Sequence, residues 1–110
     1  MNIKIIVDKQ SELRMNDAAY KLEEYCKNNN IKSHNKDTVV VFSNDHNFVK
    51  DIAIKLPKNT IVINVTENLS EQHVINVLKH VSEICYLKTD VNTIATRIIN
   101  TYNKCIINTR

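Results

Sequence analysis

The chain has 110 residues, a formal net charge of +3, 43% apolar and 25% charged side chains, and no glycine. That length describes one α/β-sized domain over residues 1–110, with a core large enough to need neither disulfides nor metal. A backbone without glycine excludes Walker loops, dinucleotide fingerprints, nucleophile elbows and EF-hand loops, because each needs a residue lacking Cβ at a positive φ or against a phosphate.

Taken in chain order, Ile3 to Val7 is a short apolar run ending at Asp8, which predicts a buried strand followed by a loop. From Glu12 to Asn28 the spacing of Met15, Ala18, Ala19, Leu22, Tyr25 and Cys26 predicts an amphipathic helix. Asn28-Asn29-Asn30 is its stop, since Asn tolerates left-handed backbone and takes over the work glycine would do. A polar segment then leads to Thr38 to Phe42, an unbroken β-branched and aromatic run that predicts the second strand. Asp45 is placed to cap a helix burying Phe48, Val49, Ile52, Ala53 and Leu56, with Pro57 as its stop. Thr60 to Val65 predicts the third strand. Ser70 caps a helix expected to bury Val74, Val77, Leu78 and Val81, with Leu69 and Val74 as a hydrophobic staple. Ile84 to Leu87 predicts the fourth strand, and Asp90 caps a last helix with Val91, Ile94, Ala95, Ile98 and Tyr102 inward.

Four strands alternate with helices, and the strands are too apolar to leave a face in water. The expected fold is a three-layer α/β/α domain with a four-stranded, mainly parallel sheet of flavodoxin or receiver-like type. Functional groups in such sheets gather beyond the carboxyl ends of the strands. Those ends supply a candidate pocket of Asp8, Ser43, Asp45, Thr66 and Lys88.

The remaining chemistry is sparse. Cys26, Cys85 and Cys105 are odd in number and form no C-x-x-C pair, which argues against structural zinc and dithiol redox chemistry. Cys26 and Cys85 fall on apolar stripes and read as small core residues. His73 and His80 are seven apart on one helix, two turns from each other and too far to chelate one ion, and are read as solvated positions. Tyr20, Tyr25, Tyr86 and Tyr102 are expected in the core or at its margin. The start of the chain offers no signal peptide and no membrane span, so a cytoplasmic location is expected. The 15 basic residues are scattered and include only three Arg, a pattern that supports at most weak nucleic-acid binding.

Two family resemblances attach to the strand ends. Ile5-Ile6-Val7-Asp8-Lys9 resembles the acidic turn after the first strand of a response-regulator receiver domain. Thr60 to Thr66 resembles the strand ending in its switch hydroxyl, and Ile84 to Lys88 the strand ending in its phosphoryl-contacting lysine. In that family paired acids hold magnesium and an aspartate at a strand end accepts the phosphoryl group. Here Lys9 replaces one acid, and Phe42-Ser43 stand where the phosphoacceptor belongs. Neither side chain there can form an acyl phosphate. The resemblance therefore implies a shortened, degenerate receiver without phosphotransfer.

The second resemblance is to PIN-like nucleases of the NYN type. Val39-Val40-Val41-Phe42-Ser43-Asn44-Asp45-His46-Asn47-Phe48 is similar to their strand and following Ser-Gly-Asp-x-Asp-Phe turn. It implies a magnesium or manganese site using Asp8, Asp45 and Asn47, with Asn44 replacing the glycine and Asn47 a neutral substitute for an acid. The residues together favour a small non-enzymatic regulatory or interaction module with no cofactor and no catalytic residue, which binds a protein partner. The expected partner surface is Tyr86, Lys88, Val91 and Arg97, and a sheet edge or helix face is available for a homodimer. The metal-dependent nuclease and the weak nucleic-acid binder are the alternatives.

Overall fold

The fold is that of a computed structural model, which describes residues 3–10, 13–28, 38–87, 90, 92–97 and 100. The elements are β1 (Ile3–Val7), α1 (Leu13–Asn28), β2 (Thr38–Phe42), α2 (His46–Ala53), β3 (Ile61–Thr66), α3 (Glu71–Leu78) and β4 (Glu83–Tyr86). Residues 92–97 form a further helical segment, α4. The strands lie in the order β1-β2-β3-β4, and every neighbouring pair is parallel.

Side chains of a strand alternate between faces, and here both faces are covered. On one face, Val40, Phe42, Ile61, Ile63, Val65 and Cys85 pack with Met15, Ala19, Leu22 and Cys26 of α1 and with Ile94 and Ala95 of α4. On the other, Val39, Val41 and Val62 pack with Val49 of α2 and Val77 of α3. The result is a flavodoxin-like α/β/α sandwich. The two central strands, β2 and β3, are buried at every position, whereas the edge strands β1 and β4 are mostly half-buried. Parallel strands dry on both faces need the continuous apolar runs that the sequence carries.

Some boundaries differ from expectation for local reasons. Thr66 completes β3, and β4 spans Glu83–Tyr86 because Ile63 and Glu83 pair, which places the start of β4 one residue earlier. α2 ends at Ala53 before Pro57 is reached. Lys55 and Leu56 donate to Ile52 and Ala53, three residues back, so the last turn tightens ahead of the proline.

Two apolar residues expected inside, Leu78 and Tyr20, are outside, as is Leu69 of the expected staple. Leu78 is 54% and Leu69 is 52% exposed, so neither contributes to the core as a buried side chain. Tyr20 is 64% exposed, because α1 docks through Met15, Ala19, Leu22 and Cys26 and a residue next to Ala19 lies about 100° round the helix. Its outer face carries exposed Asp17–Lys21 and Glu23–Lys27 pairs at i,i+4 spacing. Among the described residues no helix is long and apolar enough to cross a membrane.

Leu22 is fully buried between α1 and the sheet. Leu22→Ala is expected to lower the unfolding free energy by about 2–5 kcal/mol in urea denaturation, while Tyr20→Ala changes it by about 0.5 kcal/mol or less. Equal effects of the two substitutions would contradict this docking of α1.

Candidate functional site

The strand register brings the polar strand ends together. Val7, Phe42, Val65 and Cys85 form one row across the sheet. One residue further on, Asp8 N–H donates to Phe42 C=O (2.9 Å) and Ser43 N–H to Val65 C=O (3.1 Å), so Asp8, Ser43 and Thr66 form the next row. The chain leaving β1 turns to α1 on one face, and the chain leaving β2 turns to α2 on the other. Diverging loops of this kind open a crevice at the strand ends, between Asp8 and Ser43.

That crevice is clasped shut. Ser43 Oγ donates to Asp8 Oδ2 at 2.8 Å and accepts from Asp45 N–H at 3.0 Å, while Asp8 Oδ1 accepts from Gln10 N–H at 3.1 Å. Asp45 directs Oδ1 to Asn47 N–H at 2.9 Å and so caps α2. Asn47, the third candidate ligand, is thus seen as the backbone donor to that cap. Among the described residues no group of three or more His, Cys, Asp or Glu side chains is arranged to hold a metal ion.

Thr66 belongs to a second set of bonds. Its hydroxyl donates to Asn44 Oδ1 at 2.9 Å, and the same oxygen accepts from Glu67 N–H at 2.8 Å. Asn68 N–H donates to Thr66 Oγ1, Asn68 Nδ2 to Asn44 C=O, and Ser70 N–H to Asn68 Oδ1. Asn44 and Asn68 therefore tie the loop after β2 to the loop after β3. Ser70 then caps α3 by accepting from His73 N–H at 3.3 Å.

A buried polar pair beneath these loops was not expected. Asn64 lies mid-strand in β3 and is completely buried, and its Nδ2 donates to Val41 C=O (3.0 Å) and Ser43 C=O (3.2 Å). Its Oδ1 lies 2.9 Å from His73 Nε2, and since an amide oxygen only accepts, His73 Nε2 carries the proton. His73, expected in solvent, is completely buried. Its Nδ1 is buried with no hydrogen-bond partner among the described residues, and its ring lies edge-on to His46, centroids 6.3 Å apart. Burial, and then the neighbouring His46, pushes the His73 pKa below the ordinary 6.5, with Asp45 pulling weakly upward. The signal for this pair was Asn64 itself, a polar side chain in an otherwise apolar strand that must find partners.

Of the remaining candidates, Tyr86 is half-buried at the end of β4 and Arg97 is exposed on α4. Lys88 and Val91 lie outside the described residues. Burial pushes the Cys85 thiol upward in pKa, and the nearby Arg97 guanidinium opposes this. Cys26 and Cys85 are both free and buried, as the apolar stripes implied. Asp90 caps α4 through Thr93 N–H and hydroxyl, each at 2.9 Å, and these bonds hold its carboxyl below the usual range. A cavity of about 280 Å³, lined by Ile3, Lys4, Ile5 and Glu23, lies at the opposite end of β1 from Asp8.

Comparison with protein-family models, with curated proteins and with solved structures finds no significant match to this chain.

A histidine with a lowered folded pKa takes up a proton more readily when unfolded. Its contribution to stability is therefore fully present above about pH 6.5 and is lost as the pH falls toward the folded value. Wild-type protein is expected to lose more stability between pH 7.5 and pH 5.5 than His73→Gln in paired urea titrations. Identical pH dependence in the two proteins would contradict the buried, neutral imidazole.

Proposed function

We propose that this domain is a non-enzymatic regulatory or interaction module that resembles a degenerate receiver and works by binding a protein partner. The observation that carries the reading is the Ser43–Asp8 hydrogen bond. In the receiver resemblance, the end of β2 would hold a carboxylate that receives the phosphoryl group, with a cation offsetting the charge of the neighbouring acids. Here a hydroxyl donates directly to Asp8, so one carboxylate oxygen at the strand ends is engaged by a side chain of the neighbouring strand end. Serine at this place has no carboxylate to form an acyl phosphate.

The other strand-end groups support the same reading. Asp45 is engaged as a helix cap, and Asn44, Thr66 and Asn68 are engaged with one another. Groups held in internal bonds organise loops and present a fixed surface; a catalyst needs some of them directed at a substrate. The partner surface is taken to be the β4 edge and α4, with Tyr86 and Arg97 as its described members alongside Lys88 and Val91. An edge strand offers open backbone donors and acceptors, and Arg and Tyr, here exposed and half-buried respectively, are common anchor residues at interfaces. Free thiols at Cys26 and Cys85 suit a reducing, cytoplasmic setting.

Affinity capture from the native cell is expected to retain a saturable, stoichiometric protein partner that Arg97→Glu releases while the variant stays folded by circular dichroism. Two results would overturn the reading. One is a captured set that Arg97→Glu leaves unchanged; the other is magnesium- or manganese-dependent cleavage of RNA or single-stranded DNA that Asp8→Asn abolishes.

A further inference from the structure

The outer face of α3 carries exposed apolar side chains among its charges. His73 and Val77 point into the protein and are completely buried. At about 100° per residue, Ile75 is nearly opposite both, directed straight out from the sheet. It is 50% exposed, and Leu78, three residues on and on the same face, is 54% exposed. Leu69, just before the helix, is 52% exposed. Isolated apolar side chains on a surface are ordinary, but two on one face of a short helix and a third just before it offer apolar area that association would cover.

The charges flanking this patch are arranged about its centre. Glu71 and Lys79, both exposed, stand four residues before and four after Ile75 (75 − 71 = 4; 79 − 75 = 4). A two-fold axis through Ile75, perpendicular to the helix, turns the sequence order around and superposes the Glu71 position of one copy on the Lys79 position of the other. An antiparallel pair of α3 helices would then stack Ile75 on Ile75 and set Leu78 against the Gln72 and Leu69 end of its neighbour. Glu71 would meet Lys79 twice. This is the self-complementarity an isologous contact requires. Antiparallel packing also opposes the two helix dipoles favourably.

We infer that the outward face of α3 is a self-association surface whose occupant is a second copy of this chain, joined about a two-fold axis at Ile75. The surface is independent of the partner surface proposed above, since α3 and α4 cover opposite faces of the sheet. A contact built from one short helix per copy gives a concentration-dependent monomer–dimer equilibrium rather than an obligate dimer.

Sedimentation equilibrium tests it with a charge exchange. Wild-type protein is expected to dimerise reversibly, and Ile75→Asp to be monomeric with an unchanged thermal midpoint. Glu71→Lys and Lys79→Glu each place like charges together twice and should weaken dimerisation by about tenfold or more. An equimolar mixture of those two variants restores both attractive pairs and is expected to recover dimers at wild-type concentrations. Arg97→Glu should leave the equilibrium untouched, which separates this surface from the partner surface. A wild-type protein that stays monomeric at millimolar concentration, dimers indifferent to Ile75→Asp, or a variant mixture that fails to recover them would each overturn the inference.

Discussion

Asn64 is a polar side chain held in the middle of a completely buried strand, and much of the remaining arrangement follows from how it is satisfied. β2 and β3 are dry on both faces, so an amide there has no water to turn to. Leaving it unpaired would cost about 1–3 kcal/mol. Its amino group takes the Val41 and Ser43 carbonyls at the end of β2, and its oxygen takes the proton of His73. These bonds fix the β2 exit where Ser43 turns to Asp8. They also set the rotation of α3 about its own axis, placing His73 and Val77 inward.

The rotation of α3 has a second consequence. With His73 inside, the apolar stripe of the helix no longer matches the stripe facing the sheet. Leu78 is displaced to the surface and Ile75 faces straight out, while Val74 stays half-buried. The strand ends show a parallel economy: Asn44, Asn68, Ser43 and Asp45 use short side chains to satisfy loop backbone at turns where the chain has no glycine to relax the geometry. Groups that would be reactive in an open crevice are held in structural bonds.

Most of the fold was legible because its strands are apolar runs with plain boundaries. β1 and β2 were read to the residue, and Asp45, Ser70 and Asp90 cap the helices assigned to them. Local chemistry decides such features, so local sequence reveals them. Asp8, Ser43 and Thr66 were legible as strand ends, and the structure brings them into one row. Their mutual bonding was not legible, since it depends on the strand order and register. His73 was misread because helical spacing scores apolar residues: Val74, Val77, Leu78 and Val81 made a plausible stripe, and nothing within α3 announces that Asn64, nine residues away, needs a donor. Tyr20 was misread for a related reason, since only the docked orientation of α1 distinguishes Ala19 from its neighbour.

The strand-end groups Asp8, Ser43 and Asp45 are bonded to one another and to loop backbone, and the proposal that rests on this is that the domain works through its surfaces. Paramagnetic broadening by manganese, followed residue by residue in amide NMR spectra, tests this most directly, because Asp8 and Asp45 are the carboxylates that any catalytic reading would recruit. The account predicts no saturable broadening centred on Asp8, Ser43 and Asp45, and only weak effects spread over exposed carboxylates such as Asp17 and Glu23. Localised, saturable broadening at the Asp8–Ser43 crevice, competed by magnesium, would contradict it.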